Sequence, residues 1–183
     1  MEILKLAQAD WIPEVIRHIQ GGFHRTGYCV VESPIVIVYK PNQVDVDKCK
    51  DLGYELFELR SNSGTIVSNA GDIGIGHLGD IGNDWCDCFL NYFVKWLQDR
   101  GLDAKTEKND VLVDGYKVCG TCVNRYGRID YSCGLIGINT KLEDIKQICT
   151  KPMVKVPKGL SEFGITTEDI EQMFLDFCAQ QDN

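Results

Sequence analysis

Hydrophobic positions along the chain switch repeatedly between a helical and a strand period. Val15, Ile16 and Ile19 share a face in a helix expected from about Asp10 to Gln20, capped by Asp10 and stopped by Gly21-Gly22. Tyr28 to Lys40 is apolar and β-branched but is broken at Ser33-Pro34. This predicts two short strands, since proline is confined to strand starts and edges. Val46 to Leu52 reads as a short helix closed by Gly53, and Glu55 to Arg60 alternates as a strand with one buried face. A turn at Ser61–Gly64 leads to strands near Thr65–Ser68 and Asp72–Ile75. The strongest helical pattern is Asp84–Arg100, with Asn83 as cap and Gly101 as stop. It places Trp85, Phe89, Tyr92 and Trp96 on one stripe, with Leu90, Phe93 and Leu97 beside it. Strands follow at Ala104–Lys108, Val111–Val113, Tyr116–Val123 and Arg128–Asn139, with a turn at Asp114-Gly115. Thr140 to Glu143 has the form of a capping box and opens a helix to about Cys149. Thr166 to Asp169 opens another to about Cys178, and Pro152–Gly164 connects the two. Strands with singly inserted helices and a closing helix pair predict an α+β, or mixed α/β, fold in which sheets are covered by helices. No repeat or linker interrupts the pattern, so residues 1–183 are expected to be one domain without a separate C-terminal accessory domain.

Composition narrows the function. With 44% apolar and 25% charged residues, a chain of 183 can bury a core without disulfides or metal. Its formal net charge of −8 argues against nucleic acid and against an anionic membrane surface as partners. No stretch approaches the ~20 apolar residues of a membrane span, and the N-terminus lacks the basic head and apolar core of a secretory signal. Nine cysteines, an odd and irregularly spaced set, then read as thiols in a reducing compartment, and the expectation is a cytoplasmic protein.

Several motifs carry candidate chemistry. Gly74 to Gly79 spells G-x-G-x-x-G between a strand and a helix, which would suit a dinucleotide turn or simply a bend. Cys119-Gly120-Thr121-Cys122 is a C-x-x-C inside an apparent strand. There its thiols would face opposite sides, as buried inert residues rather than a redox pair. His18, His24 and His77 neighbour no obvious nucleophile, and no G-x-S-x-G elbow is present. The most informative stretch is Asn109 to Gly120. It reads as a hairpin around Asp114-Gly115, with Lys117 on the returning strand beside the small residues Gly120 and Thr121. Such a lysine either reaches an anionic ligand across exposed backbone or is merely solvated.

That hairpin, N-D-V-L-V-D-G-Y-K-V-C-G-T-C, resembles the lipoate-protein ligases, which share a catalytic fold with biotin protein ligases and octanoyltransferases. Segments around it are similar too: Asp45–Arg60, Ser63-Gly64 through Gly71-Asp72-Ile73, the long helix, the strand through Cys133-Gly134, and the tail Val156–Thr166. Cys122 stands in place of an alanine, Cys133 in place of a histidine, and Ser63-Gly64-Thr65 where three glycines would follow the serine. The resemblance implies attachment of lipoate, through lipoyl-AMP, to a lysine of a lipoyl carrier domain. ATP, Mg²⁺ and lipoate would take part, and an accessory subunit is a conceivable partner. It makes Lys117 the catalytic cation. Arg60, Ser63, Gly64, Asn109, Asp110, Gly120 and Thr121 would bind the adenylate, and Asp110 would help hold the metal.

Two other outcomes are compatible with the same fold. An octanoyltransferase would use Cys149 as nucleophile, take octanoate from a carrier thioester and need no ATP. A homologue without chemistry would only bind an acyl group or a carrier. Lys141, Lys146, Lys151, Lys155 and Lys158 form a basic cluster in an otherwise acidic chain and could dock an acidic carrier.

Overall fold

In the computed structural model the described residues are 3–10, 17, 25–38, 41–58, 64–80, 82 and 84–181. Most of the helix expected over Asp10–Gln20 lies outside them, as do His18, His24, Arg60, Ser63 and Asn83. Among the described residues ten strands build two sheets: β1 Ile3–Leu6, β2 Arg25–Val30, β3 Ile35–Val38, β4 Glu55–Glu58, β5 Ile66–Ser68, β6 Ile73–Asp80, β7 Ala104–Glu107, β8 Asp110–Val113, β9 Tyr116–Tyr126 and β10 Ile129–Ile136. The larger sheet has seven strands in the order β1-β2-β6-β10-β9-β8-β7, and the smaller has three, β4-β3-β5. Parallel pairing occurs at β1·β2 and β3·β4, and the other ladders are antiparallel. Helices α1 (Val46–Asp51), α2 (Trp85–Gln98), α3 (Leu142–Ile148) and α4 (Thr167–Gln181) follow the order the sequence predicts. No helix of the described residues is long and apolar enough to cross a membrane.

One face of the large sheet is covered by α2 and α4. Phe89 and Phe93 from α2 and Phe174 and Phe177 from α4 are wholly or almost wholly buried against Ile73, Ile75, Cys119 and Ile136 of the strands. Each such ring contributes roughly 1.5–3 kcal/mol through burial. The buried stripe of α2 runs through Trp85, Phe89, Phe93 and Leu97, whereas Tyr92 and Trp96 lie at its margin, only partly covered. His77 of β6 belongs to this face: its ring stacks on Trp85 at 5.1 Å, and its Nδ1 lies 2.8 Å from Thr26 Oγ1. The smaller sheet has its own core of Val36, Val44, Cys49, Tyr54 and Ile148.

Three local expectations change. Gly74–Gly79 runs inside β6, paired on both sides with β2 and β10, so it makes no phosphate-binding turn. Strand β1 was not expected at all. Helix α3 starts at Leu142 with Lys141 as cap and without a side-chain capping bond, so the Thr140–Glu143 box does not form. Thr166 and Asp169, at the start of α4, do form reciprocal capping bonds. The Thr166 N–H and Oγ1 donate to Asp169 Oδ2 at 2.9 and 3.0 Å, and the Asp169 N–H donates to Thr166 Oγ1 at 3.2 Å.

A buried acid joins the two sheets. Asp72 Oδ1 accepts the backbone N–H groups of Ile138 (2.7 Å) and Asn139 (2.9 Å). Its Oδ2 accepts the Asn69 N–H (2.7 Å) and the Ser68 hydroxyl (3.2 Å). Burial raises the Asp72 carboxyl above its ordinary value in spite of these bonds. Asp72 therefore pins the loop after β5 to the end of β10.

Candidate functional site

The other face of the large sheet carries the site. Strand alternation and register place Gly27 opposite Gly76, Gly76 opposite Cys133, and Cys133 opposite Cys122 in one row across the sheet. The next row runs from Cys29 through Gly74, Leu135 and Gly120 to Asp110. Glycines at 27, 74, 76 and 120 leave this face without side chains at those positions; Gly27 and Gly76 are buried, and Gly120 lies under the Lys117 ammonium.

Lys117 stands at the margin of that face. The turn before it has φ of 50° at Asp114 and 82° at Gly115, the left-handed pair that a two-residue hairpin requires. The register shifts between Val111 and Leu112. Val111 pairs with Cys119 but Leu112 with Lys117, so Val118 is the extra residue of a bulge. The bulge buries both Val118 and Cys119 against the helices and turns Lys117 to the face shared by Gly120 and Asp110. Lys117 Nζ then lies 2.8 Å from Asp110 Oδ1. It also lies directly over Gly120, where an added Cβ would come within 2.8 Å of Nζ and 2.9 Å of Cε.

Lys155 completes the cluster. Its Nζ reaches Asp110 Oδ2 at 2.8 Å, Glu107 Oε1 at 3.1 Å and the Glu107 carbonyl at 3.0 Å. Burial pushes the Asp110 carboxyl up, but the bonds from Lys117 and Lys155 outweigh it and hold the group below the ordinary carboxylate range. Lys117 is the most open of the three, with 38% of its side chain exposed against 20% for Asp110 and 17% for Lys155. It is the cation available to an incoming anion. Sequence reasoning placed Lys155 on a docking surface, and the structure moves it into the site. The signal lay in pairing. Residues 156–158 run beside the start of β9, with the Lys117 N–H donating to the Val156 carbonyl (2.9 Å) and the Lys158 N–H to the Lys117 carbonyl (3.0 Å). Of the other cluster members, Lys146 is bonded to Glu143, and Lys158 lies over the rings of Tyr116 and Phe163.

The remaining candidates are distributed unevenly. The Asn109 carbonyl accepts the Thr121 N–H (2.7 Å) and Thr121 Oγ1 (3.0 Å), which ties the β7–β8 turn to β9. The Thr121 side chain itself is on the helix face, where Cys86 Sγ donates to its hydroxyl at 3.3 Å. Gly64 is exposed in open space, and Arg60 and Ser63 lie outside the described residues. Cys149 closes α3 and is bridged to Val44, on the side of the smaller core. Burial raises its thiol, with no cation to offset the shift. Both Asp110 oxygens are taken by ammonium groups, a donor set that does not fit a resident divalent cation. Among the described residues no three His, Cys, Asp or Glu side chains gather as a metal site.

A family profile described as the lipoyl protein ligase A/B catalytic domain matches residues 24–176. The chain belongs to this family. Its catalytic-domain region includes the Lys117 hairpin, Asp110, Lys155 and Cys149. A Saccharomyces cerevisiae protein named as a lipoate-protein ligase A is 25% identical over 104 residues, which is 55% of this chain and 25% of that protein. The chain thus matches about a quarter of the length of that curated relative. Solved structures show the same fold. A bi-partite lipoate protein ligase with its E2 lipoyl domain from Thermoplasma acidophilum superposes with a TM-score of 0.81 at 14% identity, covering 98% of this chain and 82% of that one. P. falciparum LipL1 in complex with lipoate gives 0.77 at 17%, covering 98% and 63%. A lipoate-protein ligase A bound with ATP gives 0.79 at 14%, covering 97% and 83%. The mixed α/β expectation and the family resemblance both hold.

Proposed function

We propose that this ligase-family domain activates lipoate with ATP as an acyl adenylate and delivers the acyl group to a lysine of a lipoyl carrier domain. The observation that carries the reading is Lys117, held over Gly120 at the edge of a glycine-lined sheet face and paired with an acid that stays ionised. Supporting it are the family match and the lipoate, ATP and lipoyl domain that the structural relatives are described with.

The acyl chain would lie along the face that carries Gly27, Gly74, Gly76 and Gly120, with its carboxylate at the Lys117 ammonium. Negative charge grows on the carboxyl and phosphate oxygens when the mixed anhydride forms, and again when the carrier amine attacks it. A preformed ammonium at that position stabilises both transition states. Asp110 holds Lys117 in place, and Lys155 keeps Asp110 from neutralising Lys117 fully. The thioester route through Cys149 has less support. Its thiol is raised by burial and no observed interaction links it to Lys117.

Intact mass spectrometry of an apo lipoyl domain tests the assignment. A lipoyl mass gain that requires both lipoate and ATP, is lost in Lys117→Ala and is retained in Cys149→Ser is the expected result. Gain from an octanoyl thioester without ATP, lost in Cys149→Ser, would transfer the function to the other route. No gain in either tube, with lipoate still bound, would leave an acyl-binding homologue.

A further inference from the structure

Cys122 and Cys133 face each other on the same sheet face as Lys117, and neither has a part in the chemistry above. They are directly opposed partners of β9 and β10, with their sulfurs 3.1 Å apart. Opposed residues of an antiparallel pair have Cα atoms about 4.5–5.5 Å apart, inside the ~4.4–6.8 Å span that a disulfide bridges. On one side the row continues into Gly76 and Gly27, which have no side chains to wedge the thiols apart. Asn124 Nδ2 donates to Cys122 Sγ at 3.4 Å. The bond to Cys122, together with burial, holds the proton on Cys133. Cys133, which keeps its proton, is the resolving sulfur, and Cys122 is the one left to attack.

We propose that Cys122 and Cys133 are a reversible dithiol–disulfide site on the floor of the acyl face, oxidised by a peroxide. The Cys122 thiolate attacks one peroxide oxygen, the O–O bond breaks, and the leaving hydroxide takes a proton to become water. Cys133 then displaces hydroxide from the resulting sulfenic sulfur, forming the S–S bond and a second water. Both sulfurs are oxidised, two thiol protons leave, and the peroxide is reduced to water. An added dithiol would reopen the bridge by thiol–disulfide exchange. Shielding of the pair by a bound acyl chain rests on the function proposed above, whereas the disulfide itself does not.

The test uses the full reduced chain and one equivalent of hydrogen peroxide. Trypsin separates residues 118–125 from residues 129–141, so the bridge appears as a link between these peptides with loss of two hydrogens. It should persist in Cys119→Ser, vanish in Cys122→Ser and in Cys133→Ser, and reopen with dithiothreitol. No link between the peptides, or a link that survives Cys122→Ser, overturns the site. Octanoate, which has no sulfur and cannot act as the oxidant, is the shielding probe. At ten times its own Kd it leaves about one-tenth of the sites open and should slow bridging about tenfold. Octanoate that binds without slowing the reaction overturns the placement on the acyl face. If a separate titration shows no octanoate binding to the reduced protein, the acyl reading fails, and the peptide link still decides the disulfide.

Discussion

Gly120→Ala separates the geometry of Lys117 from the stability of the sheet. The methyl group would lie 2.8 Å from Lys117 Nζ, 2.9 Å from Cε and 3.2 Å from Asp110 Oδ1. Contact distance is ~3.5 Å, so the ammonium must retreat by roughly 0.7 Å or swing away. Gly120 has no left-handed φ, so alanine brings no backbone strain. Replacing glycine on compatible backbone gains about 0.4–1 kcal/mol, and a partly exposed ion pair is worth about 0.2–1 kcal/mol. These nearly cancel, and the melting temperature should move by less than about 4 °C. Catalysis should respond far more, since a misplacement near 1 Å costs up to ~100-fold. The expected outcome is a folded protein whose ATP-dependent lipoyl transfer, followed by intact mass, falls about 10- to 100-fold. Transfer within about twofold of the parent at an unchanged melting temperature would refute the argument that the lysine works from its position over Gly120.

Two further outcomes follow from the acids. Asp110 has its carboxyl held low in the folded state, so its contribution to stability is fully present above about pH 4 and is lost as the pH falls through the lower folded value. Asp110→Asn should therefore lower stability at neutral pH and flatten the acid-side decline; equal declines in both proteins in denaturant titrations at several pH values would contradict it. Asp72→Ala removes the acceptor for three backbone N–H groups and one hydroxyl in a buried setting. It should cost at least about 3 kcal/mol in urea unfolding, and an unchanged midpoint would show that the joint between the sheets is dispensable.

The legible parts of the sequence were those where local chemistry and tertiary structure agree. Asp114-Gly115 announced its hairpin because only residues tolerant of positive φ fit that turn, and Thr166–Asp169 announced α4 because the capping residues bond one another. The core stripe of α2 was readable in outline. Of strand β6 only the start, near Ile73–Ile75, was readable, because its glycines look like a bend and its partners, β2 and β10, are far away in sequence. The bulge at Val118 has no local signal, since it is a mismatch between two strands. Lys155 was legible as a charge but not as a site residue. Its role depends on a backbone pairing between segments about forty positions apart, which no periodicity records.

That pairing also sets an order of events during synthesis. The hairpin with Lys117 and Asp110 is synthesised before residues 153–158, so the first geometry available to it is a lysine and an acid without Lys155 and with the start of β9 unbraced. The arrangement closes only when the later segment arrives and takes both the N–H and the carbonyl of Lys117. Within that brace Val154 is 98% exposed, a bare side chain between the residue that binds Asp110 and the proline before it. A single protease cut there would untie Lys155 from Met153 while leaving residues 156–158 bonded to Lys117, so the grip on Asp110 would loosen before the brace itself does.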